Sequence, residues 1–141
     1  VSAAEFDPGA GWALQVAIVA HLRADASLKA LIGDPPRVHD GPAREKIFPF
    51  ISFDETRETP LPAAPAHVEH DIRLSVHSRY EGRREAKDIV TAIVSTLNEA
   101  ALILAGRRLV SIRAVYTDIF YRAEANAHQG LIRLRAVTEA A

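Results

Sequence analysis

Apolar residues recur at helical spacing from Trp12 to Arg23: Leu14, Ala17, Ile18 and Leu22 form one stripe, with Gln15, His21 and Arg23 outside it. A second short helix runs to Ile32, capped by Asp25 or Ser27 and stopped by Gly33-Asp34-Pro35-Pro36. Residues 34–46 are rich in turn formers, with a brief extended piece at Arg37–His39, and Ile47–Asp54 reads as a strand. Pro49 cannot donate to a ladder, so this strand lies on an edge or begins near Pro49. Glu55–Ala66 holds three prolines in about a dozen residues and is predicted as a loop.

Strict alternation follows. Val68, His70, Ile72, Leu74 and Val76 point one way, and Glu69, Asp71, Arg73, Ser75 and His77 the other, as in a half-buried antiparallel strand. Arg84 to about Leu104 then reads as the longest helix, with Ala86, Ile89, Val90, Ile93, Val94, Leu97, Ala101 and Leu104 as its stripe and Gly106 as its stop. Arg108–Tyr121 is a strand apolar on both faces in its middle, expected to be central or covered by a second surface. Ala123–Ala127 is a loop, and Gly130–Glu139 the final strand. Helices and hairpin-related strands segregate rather than alternate. The expected class is therefore α+β: an antiparallel, or mixed, sheet of about four main strands with one long and one or two short helices on one face. Residues 1–11 lack any apolar period and read as a flexible lead-in to a single domain over 12–141.

Composition narrows the chemistry. The 141 residues are 48% hydrophobic and carry 17 basic against 18 acidic side chains, for a formal net charge of −1. That supports one packed core and gives no basic excess of the kind a dedicated nucleic-acid binder shows. The absence of cysteine removes disulfides, thiolate metal sites and cysteine nucleophiles. Val1–Asp7 has no basic n-region, so it does not read as a signal peptide, and no apolar run approaches the ~20 residues of a membrane span. Arginine outnumbers lysine 14 to 3, through genome composition or through selection for planar contacts.

No catalytic constellation emerges. His67 and His70 fall on opposite faces of the alternating strand, and His21, His39, His77 and His128 on separate elements, without metal-ligand spacing. Glu69 and Asp71 share a face as an acid–base pair does, but Arg73 continues their row and Arg113, Arg133 and Arg135 on neighbouring strands suit cross-strand ion pairs. The serines show no adjacent base. Arg107-Arg108 is expected near the C-terminus of the long helix, where cations suit its dipole. Were the chain a ligand-binding module or enzyme, His70, Tyr116 and Asp118 would be its candidates.

Four phrases in order carry a resemblance: LQVAIVAHLRADASLKALIG, RVHDGPAREKIFPFISF, HDIRLSVHSRYEGRREAKDIVTAIVSTL and LAGRRLVSIRAVYTDIFYRA…HQGLIRLRAVTE. Over roughly Leu14 to Glu139 the chain resembles the tail-completion, or tail-terminator, family of long-tailed phages and gene transfer agents. Phe50 stands where that pattern favours tyrosine, and His77 where it often has tryptophan. The resemblance implies a virion structural protein with no catalytic residues and no cofactor, assembled in the bacterial cytoplasm. It implies a homo-oligomeric ring, typically a hexamer, that caps the head-proximal end of the tail tube. Its partners are then the tube protein and the neck or connector proteins, with DNA passing through the lumen. Another neck adaptor is the alternative. The residues expected at contacts are Arg57, Glu58 and Leu61 in the proline-rich stretch, Glu69, Asp71 and Arg73 in the alternating strand, and Arg113, Val115, Arg133 and Arg135 in the last two strands.

Overall fold

The computed structural model describes residues 9–42 and 45–141. Among these residues, three helices, α1 (Ala10–Ala24), α2 (Ala26–Ile32) and α3 (Arg84–Leu97), pack against a six-stranded mixed sheet. Its strands are β1 (Val38–Asp40), β2 (Phe50–Leu61), β3 (Ala64–Ser78), β4 (Ile103–Leu104), β5 (Arg107–Arg122) and β6 (Ala127–Ala140), in the order β1-β2-β3-β6-β5-β4. Only β1 and β2 are parallel; the other pairs are antiparallel. The four main strands expected from periodicity are β2, β3, β6 and β5, and two short strands join them at the edges. The α+β class holds, with six strands rather than about four.

The core forms where the helical stripes meet the inward row of the sheet. Leu14, Ile18 and Leu22 of α1 and Ile89, Ile93 and Leu97 of α3 are fully buried beside Ile51, Leu74, Ile132 and Leu134. Asp25 caps α2 by accepting from the Leu28 amide at 3.0 Å. Gly130 lies under α3: a Cβ there would come within 2.6 Å of Val90 Cγ2, so the missing side chain sets how closely helix and sheet approach.

Three boundaries differ from expectation. The helix α1 begins at Ala10, within the segment read as lead-in, whereas residues 1–8 lie outside the described residues. The proline-rich stretch is not a loop. It completes β2 and begins β3, and the two strands pair from Phe50↔His77 to Leu61↔Ala64. Beyond Phe53, β2 has β3 on one side and no strand on the other among the described residues, so Pro60 needs no amide for a ladder there. The long helix stops at Leu97 rather than near Leu104. Glu99 takes φ 60°, its amide donates to the Ile112 carbonyl at 2.8 Å, and Ile103–Leu104 pair with Arg107–Arg108. The apolar spacing Leu97, Ala101, Leu104 imitates a continuing stripe, but Gly106 (φ 71°) turns a tight hairpin and does not cap a helix.

The strand Arg108–Tyr121 is not central. Its place in β5 is next to the edge, and β4 covers only Arg107 and Arg108. Val110 and Val115, at its two bulges, and Tyr116, on its outward face, are exposed, as is Tyr121 on the helix side, so these apolar residues are uncovered within one copy of the chain.

Candidate assembly surface

The outward row of the sheet is built from charges at paired positions. Register places Arg57, Asp71, Arg135 and Arg113 side by side across β2, β3, β6 and β5, and Arg73, Arg133 and Tyr116 in the adjacent row. Arg133 Nη2 donates to Asp71 Oδ2 at 2.8 Å, and Arg73 Nη1 lies 3.8 Å from Glu55. The Arg133 hydrogen bond holds the Asp71 carboxyl below its usual range; burial opposes this, and the charges of Arg133, Arg73 and Arg135 reinforce it. Asp71 is therefore an anion set among arginines. Arg133 Nε and Arg135 Nε are buried without a hydrogen-bond partner among the described residues. Such a face is a ladder of ion pairs with donors to spare, not an acid–base pair.

The remaining expected contact residues are dispersed. Glu69 lies in the outward row one step along β3 from Asp71, paired in register with Val137. Val115 sits in the β5 bulge between Ala114 and Tyr116 and is 39% exposed. Leu61 is at the tip of the β2–β3 hairpin. Glu58 belongs elsewhere: it presses against Gly11 at the start of α1, where a Cβ would sit 1.3 Å from Glu58 Oε1. Its negative charge there suits the positive end of that helix.

The candidates for a ligand site do not converge. His70 is buried on the helix side of the sheet, while Tyr116 and Asp118 are exposed on the other, with the Tyr116 hydroxyl 3.4 Å from Asp118 Oδ2. His70 Nε2 is 2.8 Å from Thr138 Oγ1, which also accepts from Arg107 Nε (3.3 Å) and Nη2 (3.1 Å). Arginine only donates, so the threonine proton goes to His70 and the imidazole nitrogen stays unprotonated. Burial first, and the Arg107 charge second, push the His70 pKa down to about 4. Arg107 is thus a buried strand residue bracing this cluster, not a cation near a helix end. Arg108 bonds Glu139, which also pairs with His67 at 2.7 Å.

One polar cluster escapes sequence reading. Beside a groove of about 730 Å³, Ser52 lies 2.9 Å from His77 Nε2 and 3.1 Å from Asp54 Oδ1. Ser75 also bonds Asp54, and Gln129 donates to Ser75 at 2.9 Å. Ser52 and His77 are 25 residues apart and meet only because β2 pairs with β3. The set imitates a nucleophile and its base, yet the proton arrangement forbids that role. The Ser52 proton goes to Asp54, so His77 must donate to the serine and cannot take its proton. His77 stacks on Phe50 at 4.4 Å, and burial lowers its pKa against the opposing pull of Asp54. The cluster staples β2, β3 and β6. Among the described residues no three His, Asp or Glu side chains are grouped to hold a metal ion, and no helix is long and apolar enough to cross a membrane.

A mixed sheet with helices on its inner face, a charged outer ladder and open edges among the described residues defines the protein as an α+β fold. The chain belongs to the tail completion family: the family described as tail completion protein gp17 matches residues 16–139. Among solved structures it is similar to a chain in the "Virion of native gene transfer agent (GTA) particle", with a TM-score of 0.81 and 26% identity. That similarity covers 95% of this chain and 100% of the other. A comparison with curated proteins finds no match.

Proposed function

We propose that this chain is the structural ring subunit that caps the head-proximal end of a phage-like tail tube. In this role it ends tube polymerisation and forms the tail side of the head–tail joint. Six copies close a ring, the tube protein binds one end, connector proteins bind the other, and DNA passes through the lumen without sequence-specific contact. Membership in the tail completion family over residues 16–139 carries this reading. The surface chemistry supports it: the outer ladder has donors to spare, and β5 exposes Val110, Val115, Tyr116 and Tyr121.

A closed ring needs two different, complementary surfaces on each copy, joined head to tail. The outward arginines Arg57, Arg73, Arg113, Arg133 and Arg135, with Glu69 and Asp71, supply charge for contacts between copies. Leu61, at the hairpin tip, reaches a neighbour or the tube. The role is structural and not enzymatic. Mass measurement by light scattering, with and without the tube protein, tests the proposal together with tube lengths in electron micrographs. A multimer that binds tube ends and limits their length is expected. A strict monomer that does neither overturns it.

A further inference from the structure

Both lateral edges of the sheet are open at the same height. On one side, β1 pairs only with β2 among the described residues. On the other, the first half of β5 is occupied: β4 covers Arg107–Arg108, the Glu99 amide takes the Ile112 carbonyl, and Asn98 Oδ1 takes the Ala114 amide at 3.0 Å. From Val115 to Arg122, β5 has β6 on one side and no strand on the other among the described residues. Three registered rows join the two open segments across the sheet. Val38 leads through Ile51, Val76 and Gly130 to Ile119. His39 leads to Asp118, and Asp40 to Thr117, in the same way.

We propose that copies of this chain join edge to edge, the free half of β5 in one copy adding to β1 of the next. This deepens the ring reading above and rests on it. Polarity agrees. The strand β1 is parallel to β2, and three antiparallel steps separate β2 from β5, so β5 runs opposite to β1. A copy rotated about an axis along the strands therefore presents β5 antiparallel to its neighbour's β1, at matching height. The other open edge, the outer half of β2, fits less well. Its rows, through Thr56 and Thr59, end at Ala114 and Ser111, where Asn98, Glu99 and β4 already occupy β5.

Side chains at both edges fit the same joint. The Nε2 of His39 is buried without a hydrogen-bond partner among the described residues. In the registered joint a turn of the His39 ring brings this nitrogen to the exposed carboxylate of Asp118 of the next copy, which a ring N–H satisfies. Between β1 and α1 lies a groove of about 310 Å³ in which Trp12 and Val16 are 64% and 50% exposed. On β5, Tyr121 lies on the same, helix-side face of the sheet and is 50% exposed, offering apolar surface to cover it. Because β1 has only three residues, this apolar contact carries much of the joint. Arg23 already donates to the Val38 carbonyl at 3.0 Å, and that oxygen retains a second lone pair for the incoming strand.

The chain has no cysteine, so disulfide trapping reads the joint directly. A chain carrying both His39→Cys and Asp118→Cys is expected, under mild oxidation, to give a ladder of covalent species rising by one chain mass per step. A mixture of the two single variants should stop at the dimer. A ladder from His39→Cys with Tyr116→Cys or Phe120→Cys also supports the joint, in a register shifted by two residues that keeps the same face outward. Ser95→Cys with Asp118→Cys is the control and should give none; an equal ladder there overturns the joint. A native multimer that yields no ladder with any of the three pairs overturns the joint and leaves the ring standing. A strict monomer, with or without tube protein, overturns both.

Discussion

His70 shows how one residue couples packing to pH. Its ring accepts from Thr138, whose oxygen is held by Arg107, so protonation would place a cation beside a guanidinium in the core. The folded-state pKa of about 4 lies below the ~6.5 of an unfolded chain, so the unfolded state binds more protons between these values. Stability is accordingly complete above pH ~6.5 and falls as pH drops toward 4, by at most about 3 kcal/mol from this group. Urea unfolding at pH 7 and pH 4.5 measures the loss, and His70→Gln, which carries no titrating ring, should show a distinctly shallower dependence. Gly130 makes a purely steric case. Gly130→Ala drives a Cβ to 2.6 Å from Val90 Cγ2, so either the Val90 side chain must turn or α3 must lift. The expected cost is about 1–3 kcal/mol, read as a lower midpoint in urea unfolding, and Gly130→Ala with Val90→Ala should recover part of it.

The β2–β3 hairpin shows where local composition misleads. Three prolines in Glu55–Ala66 argue for a loop by every local criterion, because each fixes φ and removes a donor. The structure accommodates Pro60 on the unpaired side of an edge strand, where no donor is required. Amide hydrogen exchange separates the two descriptions. Amides of Glu69–Val76, with strands on both sides, should exchange slowest; those of Thr56–Thr59, paired only to β3, should be intermediate. A loop would leave Thr56–Thr59 exchanging at the rate of an open chain. The end of α3 fails in the same way: Ala101 and Leu104 fall on the helical stripe, but Glu99 turns the chain so that its amide serves β5.

For the molecule as a whole, the consequence of the sheet order is that its two edges differ. The inner face is covered by α1 and α3, the outer face carries a charge ladder with unsatisfied donors, and the two edges expose unlike stretches of backbone. A surface with unlike edges favours head-to-tail closure over a two-fold dimer, which needs the same patch on both partners. The exposed apolar positions Trp12, Val16, Tyr116 and Tyr121 fall beside those edges. Mass measurement and disulfide trapping test this geometry at two levels, the existence of the multimer and the strand that joins it.

Much of this architecture is legible in the chain itself because burial on one face imposes a period. Leu14, Ile18 and Leu22, the alternation from Val68 to Val76 and the stripe Ile89, Ile93, Leu97 each mark a type of element and its buried side. The ordered phrases from Leu14 to Glu139 likewise sufficed for the family, and the missing cysteine for the exclusion of thiol chemistry in this sequence. Pairing was not legible, since hydrogen bonds between strands are made by a backbone that is the same in every residue. The meeting of Ser52 with His77, the row from His39 to Asp118, the burial of Arg107 beside Thr138 and the edge position of β5 all depend on which strand lies beside which. That neighbour order is a property of the packed sheet, and it decides which side chains and which strand edges the chain exposes.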